Sequence, residues 1–324
     1  MMATKRLPYL DNIKGLLIIL VVIGHAIQYC LPTYEMNIAF RFIYSFHMPL
    51  FFFVSGYLAN RGRWDSNVIR RRAIQLLIPF AAWAFVAPLL KTGSMDVAVS
   101  LQTLIYPDKG LWFLYNLFVY SVIFNIAEYL QSRFGVKHWL VTGIFYMLLG
   151  VLMVLFKTKF NCSQLCYHII FYAAGYYYRE LKIVNKYNCL SISVLGVVFL
   201  LTVPFWVTNG APLFYNQINL GSVFAYAYRY GVQIVGMMFF YGLGYKFLNR
   251  EVPMLQKLGT VTLGIYAVQF TVIYYCVKLL PIDNVSLKIA SVSALAVPIS
   301  YLFVWMDGQK SEIFKITCRR IIIV

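Results

Sequence analysis

Ten long apolar stretches, separated by short polar segments, run along the 324 residues of the chain. A helix needs about 20 apolar residues to cross the hydrocarbon core of a bilayer, which is roughly 30 Å thick. The pattern therefore predicts an all-α polytopic membrane protein with about ten transmembrane helices. We see no soluble appendage, so residues 1–324 are predicted to form a single transmembrane domain. The predicted spans are 13–31, 37–59, 69–90, 111–130, 138–156, 164–181, 189–207, 223–246, 258–279 and 285–305.

The composition agrees with a membrane protein and excludes several other classes. Hydrophobic residues make up 61% of the chain and charged residues 12%, whereas a soluble domain is about half apolar and about one quarter charged. Disordered chains and small disulfide scaffolds are excluded, because apolar residues dominate and the six cysteines are spread over a long chain. The first apolar run is long enough to span, so we expect it to remain as a helix and not to be cleaved as a signal peptide.

The net charge of +17 is explained by membrane topology. Nucleic-acid binders gather basic residues on a soluble face, and this chain offers no soluble domain to carry one. Cytoplasmic loops of membrane proteins collect Lys and Arg. When the segments between spans are taken alternately, 19 of the 28 basic residues fall on the side that holds both termini, and six fall on the other. Both termini are therefore predicted to be cytoplasmic.

Two histidines are predicted to lie at similar depth in the membrane. Lys14 and His25 are eleven residues apart on span one, which places them on one helix face and separates them by about 16 Å in height. His47 lies about ten residues into span two, which runs in the opposite direction. A shielded imidazole is suited to act as a general base on a hydroxyl. The alternative is that each histidine only joins two helices through a buried hydrogen bond.

Three groups of arginines within or beside the spans have two interpretations each. Arg41 on span two and Arg229 on span eight could be snorkelling anchors or could line an outward-facing cavity for a polar acceptor. The triplet Arg70, Arg71 and Arg72 begins span three. It could be a topology signal, or a clamp for a phosphate-bearing ligand such as coenzyme A, because the arginine fork binds phosphate oxygens through two hydrogen bonds. No zinc-type ligand spacing is present, so no metal is predicted.

Five motifs in order along the chain resemble the acyltransferase 3 family of integral membrane O-acyltransferases, in particular its fucose 4-O-acetylase-like branch. They are YLDNIKG at 9–15 with the following Gly24-His25, FHMPLFFFVSGY at 46–57, RRRAIQLLIP at 70–79, LWFL at 111–114 and LGTVTLGIYAVQ at 258–269. Lys14 stands where many members have arginine, and Gln269 stands where the family commonly has histidine.

The resemblance implies transfer of an acyl group, usually acetyl from cytoplasmic acetyl-CoA, to a hydroxyl of a carbohydrate acceptor. The acceptor would be a polysaccharide, a glycolipid or a lipid-linked sugar, and the protein would be a multi-pass protein of a bacterial-type plasma (inner) membrane. His25 is expected to be the leading catalytic residue and His47 the second, with Lys14 and Arg70 to Arg72 binding the donor. The expected substrate-binding residues are Arg41, Arg229, Ser55 and Tyr266.

Several alternatives stay open from the sequence. His25 would either remove the hydroxyl proton or carry the acyl group itself, and the acyl group could be succinyl. A rival class is a transporter or exporter of a polysaccharide intermediate, in which intramembrane histidines and arginines would line a translocation path.

Overall fold

The computed structural model describes residues 7–60, 64–181, 187–207 and 220–310. These residues form fourteen α-helices, with short 3-10 turns and one π turn between them, and contain no strand. The helices are α1 Pro8–Cys30, α2 Ile38–Tyr44, α3 His47–Ala59, α4 Asn67–Arg72, α5 Ile78–Thr92, α6 Val97–Ile105, α7 Trp112–Phe134, α8 His138–Phe156, α9 Cys162–Glu180, α10 Cys189–Thr202, α11 Leu220–Phe247, α12 Pro253–Thr260, α13 Thr262–Leu279 and α14 Val285–Lys310.

The prediction of an all-α membrane protein is confirmed. Seven helical segments in the described residues are long and apolar enough to cross a membrane. The other three predicted spans coincide with α9, α10 and α11, of which α10 is apolar but shorter. The count of ten crossings and the cytoplasmic termini remain predictions. The seven segments are Pro8–Cys30, Ile38–Ala59, Asn67–Thr92, Trp112–Phe134, His138–Phe156, Thr262–Leu279 and Val285–Met306.

Span two contains a break that its apolar pattern does not show. Helix α2 ends at Tyr44 and α3 begins at His47. The Ser45 hydroxyl donates to the carbonyl oxygen of Phe42 at 2.8 Å, and such local bonds compete with regular helical ones. The start of α2 is fixed by Asn37, whose side chain accepts a hydrogen bond from the Phe40 amide at 3.0 Å. The break places the last residue of one helix beside the first residue of the next.

The contacts divide the chain into two units. The first unit contains residues 7–51, 187–207 and 220–310 of the described chain, and α1 packs there against α2, α11, α12, α13 and α14. Helix α13 also packs on α14, and α10 packs on α11. Helices α1 and α12 approach each other at two glycines. A Cβ atom on Gly15 would lie 2.1 Å from the Leu255 carbonyl oxygen, and one on Gly259 would lie 2.0 Å from that of Asp11.

The second unit contains residues 52–60 and 64–181 of the described chain. Helix α8 packs against α7 and α9, and α4 packs against α7. Gly56 on α3 and Gly175 on α9 give this unit a similar close approach, since a Cβ on either would meet a carbonyl oxygen of the other helix at about 2 Å. Small residues are the usual means by which membrane helices approach closely.

Candidate active site

His25 lies near the end of α1 in the first unit and is held by two polar neighbours. Its Nδ1 lies 2.7 Å from Oε1 of Gln28, three residues further along the same helix face. The same Nδ1 lies 3.1 Å from the hydroxyl of Tyr44, the last residue of α2. That hydroxyl is also 2.8 Å from Oε1 of Gln28. The three polar groups therefore form a closed triangle.

One arrangement of protons satisfies all three contacts in this triangle. The Gln28 carbonyl oxygen can only accept, so both Nδ1–H of His25 and the Tyr44 hydroxyl donate to it. The Tyr44 oxygen is then an acceptor for the same Nδ1–H. A neutral imidazole carries one proton, so Nε2 of His25 keeps its lone pair. A lone pair fixed in this way is what a general base or an attacking nitrogen requires.

The second predicted histidine lies against the same tyrosine. The ring centroids of Tyr44 and His47 are 4.7 Å apart, and those of Tyr44 and His25 are 6.2 Å apart. His47 is buried, and its Nδ1–H donates to the Ile43 carbonyl oxygen at 2.7 Å. Both histidines therefore pack against Tyr44, and their equal depth in the membrane stays a prediction.

Helix α13 supplies the apolar side of the site. The ring centroid of Phe270 is 4.4 Å from that of His25. Tyr266, one turn earlier on α13, is buried, and its ring centroid is 6.3 Å from that of Phe270. It also lies near enough to Tyr44 to interact with it electrostatically. The predicted substrate-binding residue Tyr266 is thus linked to His25 through two residues that contact the His25 ring, Phe270 and Tyr44.

Lys14 forms an ion pair on its own helix. Its Nζ lies 2.8 Å from Oδ1 of Asp11, and both side chains are largely buried. The neighbouring Asn12 is fully buried and donates through Nδ2 to the carbonyl oxygens of Leu248 and Arg250, each at 2.7 Å. The first motif therefore anchors the connection between α11 and α12 to the start of α1.

The arginine triplet lies in the second unit and ends α4. Arg70 is exposed, Arg71 pairs with Asp65, and Arg72 donates to Oε1 of Gln75 at 3.4 Å. The backbone continues directly into a π turn, Ala73–Leu77, and then into α5. Single π turns of this kind are rare and often occur at functional sites.

Arg41 and Arg229 are held by neighbouring groups. Arg41 donates through Nε to the Glu35 carbonyl oxygen at 2.8 Å and through Nη1 to that of Pro204 at 2.7 Å. The Arg229 guanidinium lies 5.3 Å from the centre of the buried Trp206 ring. Ser55 is half-buried on α3 in the second unit. None of the contacts described for these three residues reaches His25.

Gln28, Tyr44 and Phe270 are absent from the residues predicted from sequence. Gln28 had a usable signal, because a polar residue three positions after His25 shares its helix face. Tyr44 and Phe270 come from other helices, so only the folded chain shows their contact with His25. No group of three or more metal-ligating side chains occurs in the part of the chain that the structure describes.

Comparison with known proteins identifies the class to which this helical site belongs. The profile of the acyltransferase 3 family, described as an acyltransferase domain, matches residues 7–305. The chain therefore belongs to this family of integral membrane O-acyltransferases.

Parts of the chain are also similar to two proteins called nodulation protein NolL. The protein from Mesorhizobium japonicum is 31% identical over 130 residues, which is 36% of this chain and 34% of that protein. The protein from Sinorhizobium fredii is 44% identical over 80 residues, which is 22% of each. The chain thus aligns with about a third or less of the length of these relatives. No solved structure matches the chain.

Proposed function

We propose that this membrane O-acyltransferase moves an acetyl group from acyl-CoA to a hydroxyl of a carbohydrate. The family supports the reaction class. The observation that carries the proposal is the triangle of His25, Gln28 and Tyr44, which leaves Nε2 of His25 able to accept a proton.

His25 acts in this proposal as the general base. Its Nε2 accepts the proton of the acceptor hydroxyl while that oxygen attacks the carbonyl carbon of the thioester. The tetrahedral intermediate collapses, the C–S bond breaks, and the imidazolium returns its proton to the CoA thiolate. Gln28 and Tyr44 are positioning residues, because they hold Nδ1–H and thereby the tautomer. His47 is proposed as a second residue of the pocket.

Arg70, Arg71 and Arg72 are proposed to bind phosphate groups of the donor. The CoA part of the acyl donor carries several phosphates, and a guanidinium group binds phosphate oxygens through two hydrogen bonds. Arg70 is the exposed residue of the three, so its guanidinium group is the most accessible to a ligand. Lys14 is proposed as a further contact to acyl-CoA. Its ammonium group carries three N–H bonds, and Asp11 accepts a hydrogen bond from one of them.

The acceptor is proposed to be a polysaccharide, a glycolipid or a lipid-linked sugar. Tyr266, whose ring lies beside that of Phe270, is one proposed acceptor contact, and Arg41, Arg229 and Ser55 are the other proposed acceptor contacts. The protein is proposed to lie in a bacterial-type plasma membrane, and the bias of basic residues supports cytoplasmic termini. Donor binding would then occur on the cytoplasmic side.

The test uses purified protein in lipid vesicles with labelled acetyl-CoA and a mixture of glycan extracts. Wild type is expected to release free CoA and to move label to glycan, whereas His25→Ala is expected to lose about 100-fold to 10,000-fold in rate. The matched control is His168→Phe, which removes an imidazole from the second unit and keeps a ring beside Phe52 and Trp112.

Normal turnover of a folded His25→Ala variant would refute the catalytic assignment. If wild type transfers no label but moves a glycan across the vesicle membrane in response to a pH gradient, the transporter alternative replaces the enzyme.

A further inference from the structure

Gln269 on α13 is a fully buried polar side chain with no hydrogen-bond partner in the described part of the chain. Its exposed fraction is 0%, and neither Nε2 nor Oε1 of its carboxamide is within hydrogen-bonding geometry of another described group. A buried amide without partners loses its hydrogen bonds to water and gains none in the protein, which costs free energy. Such a group is expected to find its partner in a bound ligand.

The position of Gln269 on α13 places it on the side of the candidate site. It directly precedes Phe270, whose ring centroid is 4.4 Å from that of His25. It follows Tyr266 by three residues, which is a rotation of about 60° around a helix with 3.6 residues per turn. Gln269 is about 100° from Phe270 around the helix, so it lies on the half of α13 that also carries the Tyr266 and Phe270 rings.

The opposite side of α13 faces another helix. A Cβ on Gly264 would lie 2.9 Å from the Val304 side chain of α14, so Gly264 marks the contact between α13 and α14. Thr271 follows Gly264 by seven residues, about two full turns, and lies on that same side. Gln269 is about 140° away from Gly264 around the helix. Gln269 therefore does not lie on the side of α13 that meets α14 at Gly264.

Acyl transfer creates a charge that a carboxamide can bind. When the acceptor oxygen attacks the thioester, the carbonyl π electrons move to the carbonyl oxygen, which becomes an oxyanion until the C–S bond breaks. Buried N–H donors aimed at this oxygen lower the barrier more than they strengthen ground-state binding. We propose that the Gln269 carboxamide binds the acyl carbonyl oxygen and stabilises this oxyanion. This assignment rests on the acyl transfer proposed above.

The decisive variant is Gln269→Leu, which keeps much of the side-chain volume and removes both amide atoms. Because an unpaired buried amide is removed, the melting temperature is expected to stay equal or rise. The turnover number is expected to fall about 100-fold to 1,000-fold, as for loss of one oxyanion donor. The Michaelis constant for acetyl-CoA should change little. Gln269→His, which restores an N–H donor, is expected to recover part of the turnover.

The matched control is Thr271→Val on the same helix. Thr271 is also buried, and its hydroxyl also has no hydrogen-bond partner among the described residues. Because it lies on the α14 side, Thr271→Val is expected to keep both the melting temperature and the turnover of wild type.

Two results would overturn the assignment while leaving the proposed function intact. One is wild-type turnover by Gln269→Leu in an assay in which His25→Ala is inactive. The other is a joint loss of melting temperature and turnover in Gln269→Leu that Gln269→His fails to relieve, because this pattern defines a packing residue. Failure of the proposed function itself gives a different result, since wild type then transfers no label.

Discussion

Replacing Gln28 with leucine removes the acceptor that fixes the tautomer of His25. In wild type, Nδ1–H of His25 donates to Gln28 at 2.7 Å and to Tyr44 at 3.1 Å. Without Gln28, only the longer contact favours a proton on Nδ1. A typical hydrogen bond contributes about 0.5–1.5 kcal/mol, so the population of the reactive tautomer, and with it the turnover number, is expected to fall between about twofold and tenfold. This loss is smaller than that of His25→Ala.

Gln28→Glu is the conservative counterpart. A carboxylate accepts hydrogen bonds at the same position, so Nδ1 keeps its proton and turnover at high pH is expected to stay within about threefold of wild type. The carboxylate also stabilises the protonated imidazole, so Nε2 becomes free only at higher pH. The acidic limb of the pH–rate profile is therefore expected to move upwards.

The measurement is the rate of label transfer in vesicles across the pH range, with the melting temperature of each variant as the control for folding. Wild-type turnover in Gln28→Leu would refute the positioning role of Gln28. An equal loss of turnover in Gln28→Glu and Gln28→Leu would refute the assignment of the His25 proton to Nδ1. It would mean that the Gln28 amide N–H donates to an unprotonated Nδ1.

Two further replacements test the helix packing and the donor contact. Gly15→Ala is expected to lower the free energy of unfolding by about 1–3 kcal/mol, because its Cβ would collide with the Leu255 carbonyl oxygen. Gly143→Ala, which meets no atom within 4 Å, should be neutral or slightly stabilising in the same thermal melt. Arg70→Gln is expected to raise the Michaelis constant for acetyl-CoA about tenfold, equivalent to about 1.4 kcal/mol. Arg133→Gln, at the end of α7, should leave this Michaelis constant unchanged. If Arg70→Gln also has the wild-type Michaelis constant, Arg70 serves only as a topology signal.

The helices were largely predictable from hydrophobicity, because all ten predicted spans coincide with helices. The interruptions were not. The apolar pattern passes unchanged through the break at Ser45 and through the separation of α12 from α13 at Val261. Helix α6 was also missed, since nine residues are too few for a span. Its start had a local signal in Asp96, whose side chain accepts from the Val99 amide at 3.0 Å.

The candidate site was predictable only where residues had a charge or a motif to mark them. His25 and His47 were marked by being ionisable groups within apolar spans. The roles of their neighbours depend on contacts between helices, which periodicity does not encode. Arg41 illustrates this limit. It donates to the backbone carbonyl oxygens of Glu35 and Pro204, and no sequence pattern marks a backbone carbonyl as an acceptor for a particular side chain.

The π turn at Ala73–Leu77 gives the arginine triplet a register of its own. A π turn holds one residue more than the α-helical turn it replaces. It therefore behaves as a single-residue insertion inside an otherwise continuous helix that runs from Asn67 to Thr92. Deleting that residue would close the turn into regular α-helix and rotate Arg70, Arg71 and Arg72 by about 100° relative to α5. The direction in which the three guanidinium groups project is thus set by chain length at this point, independently of the choice of side chains.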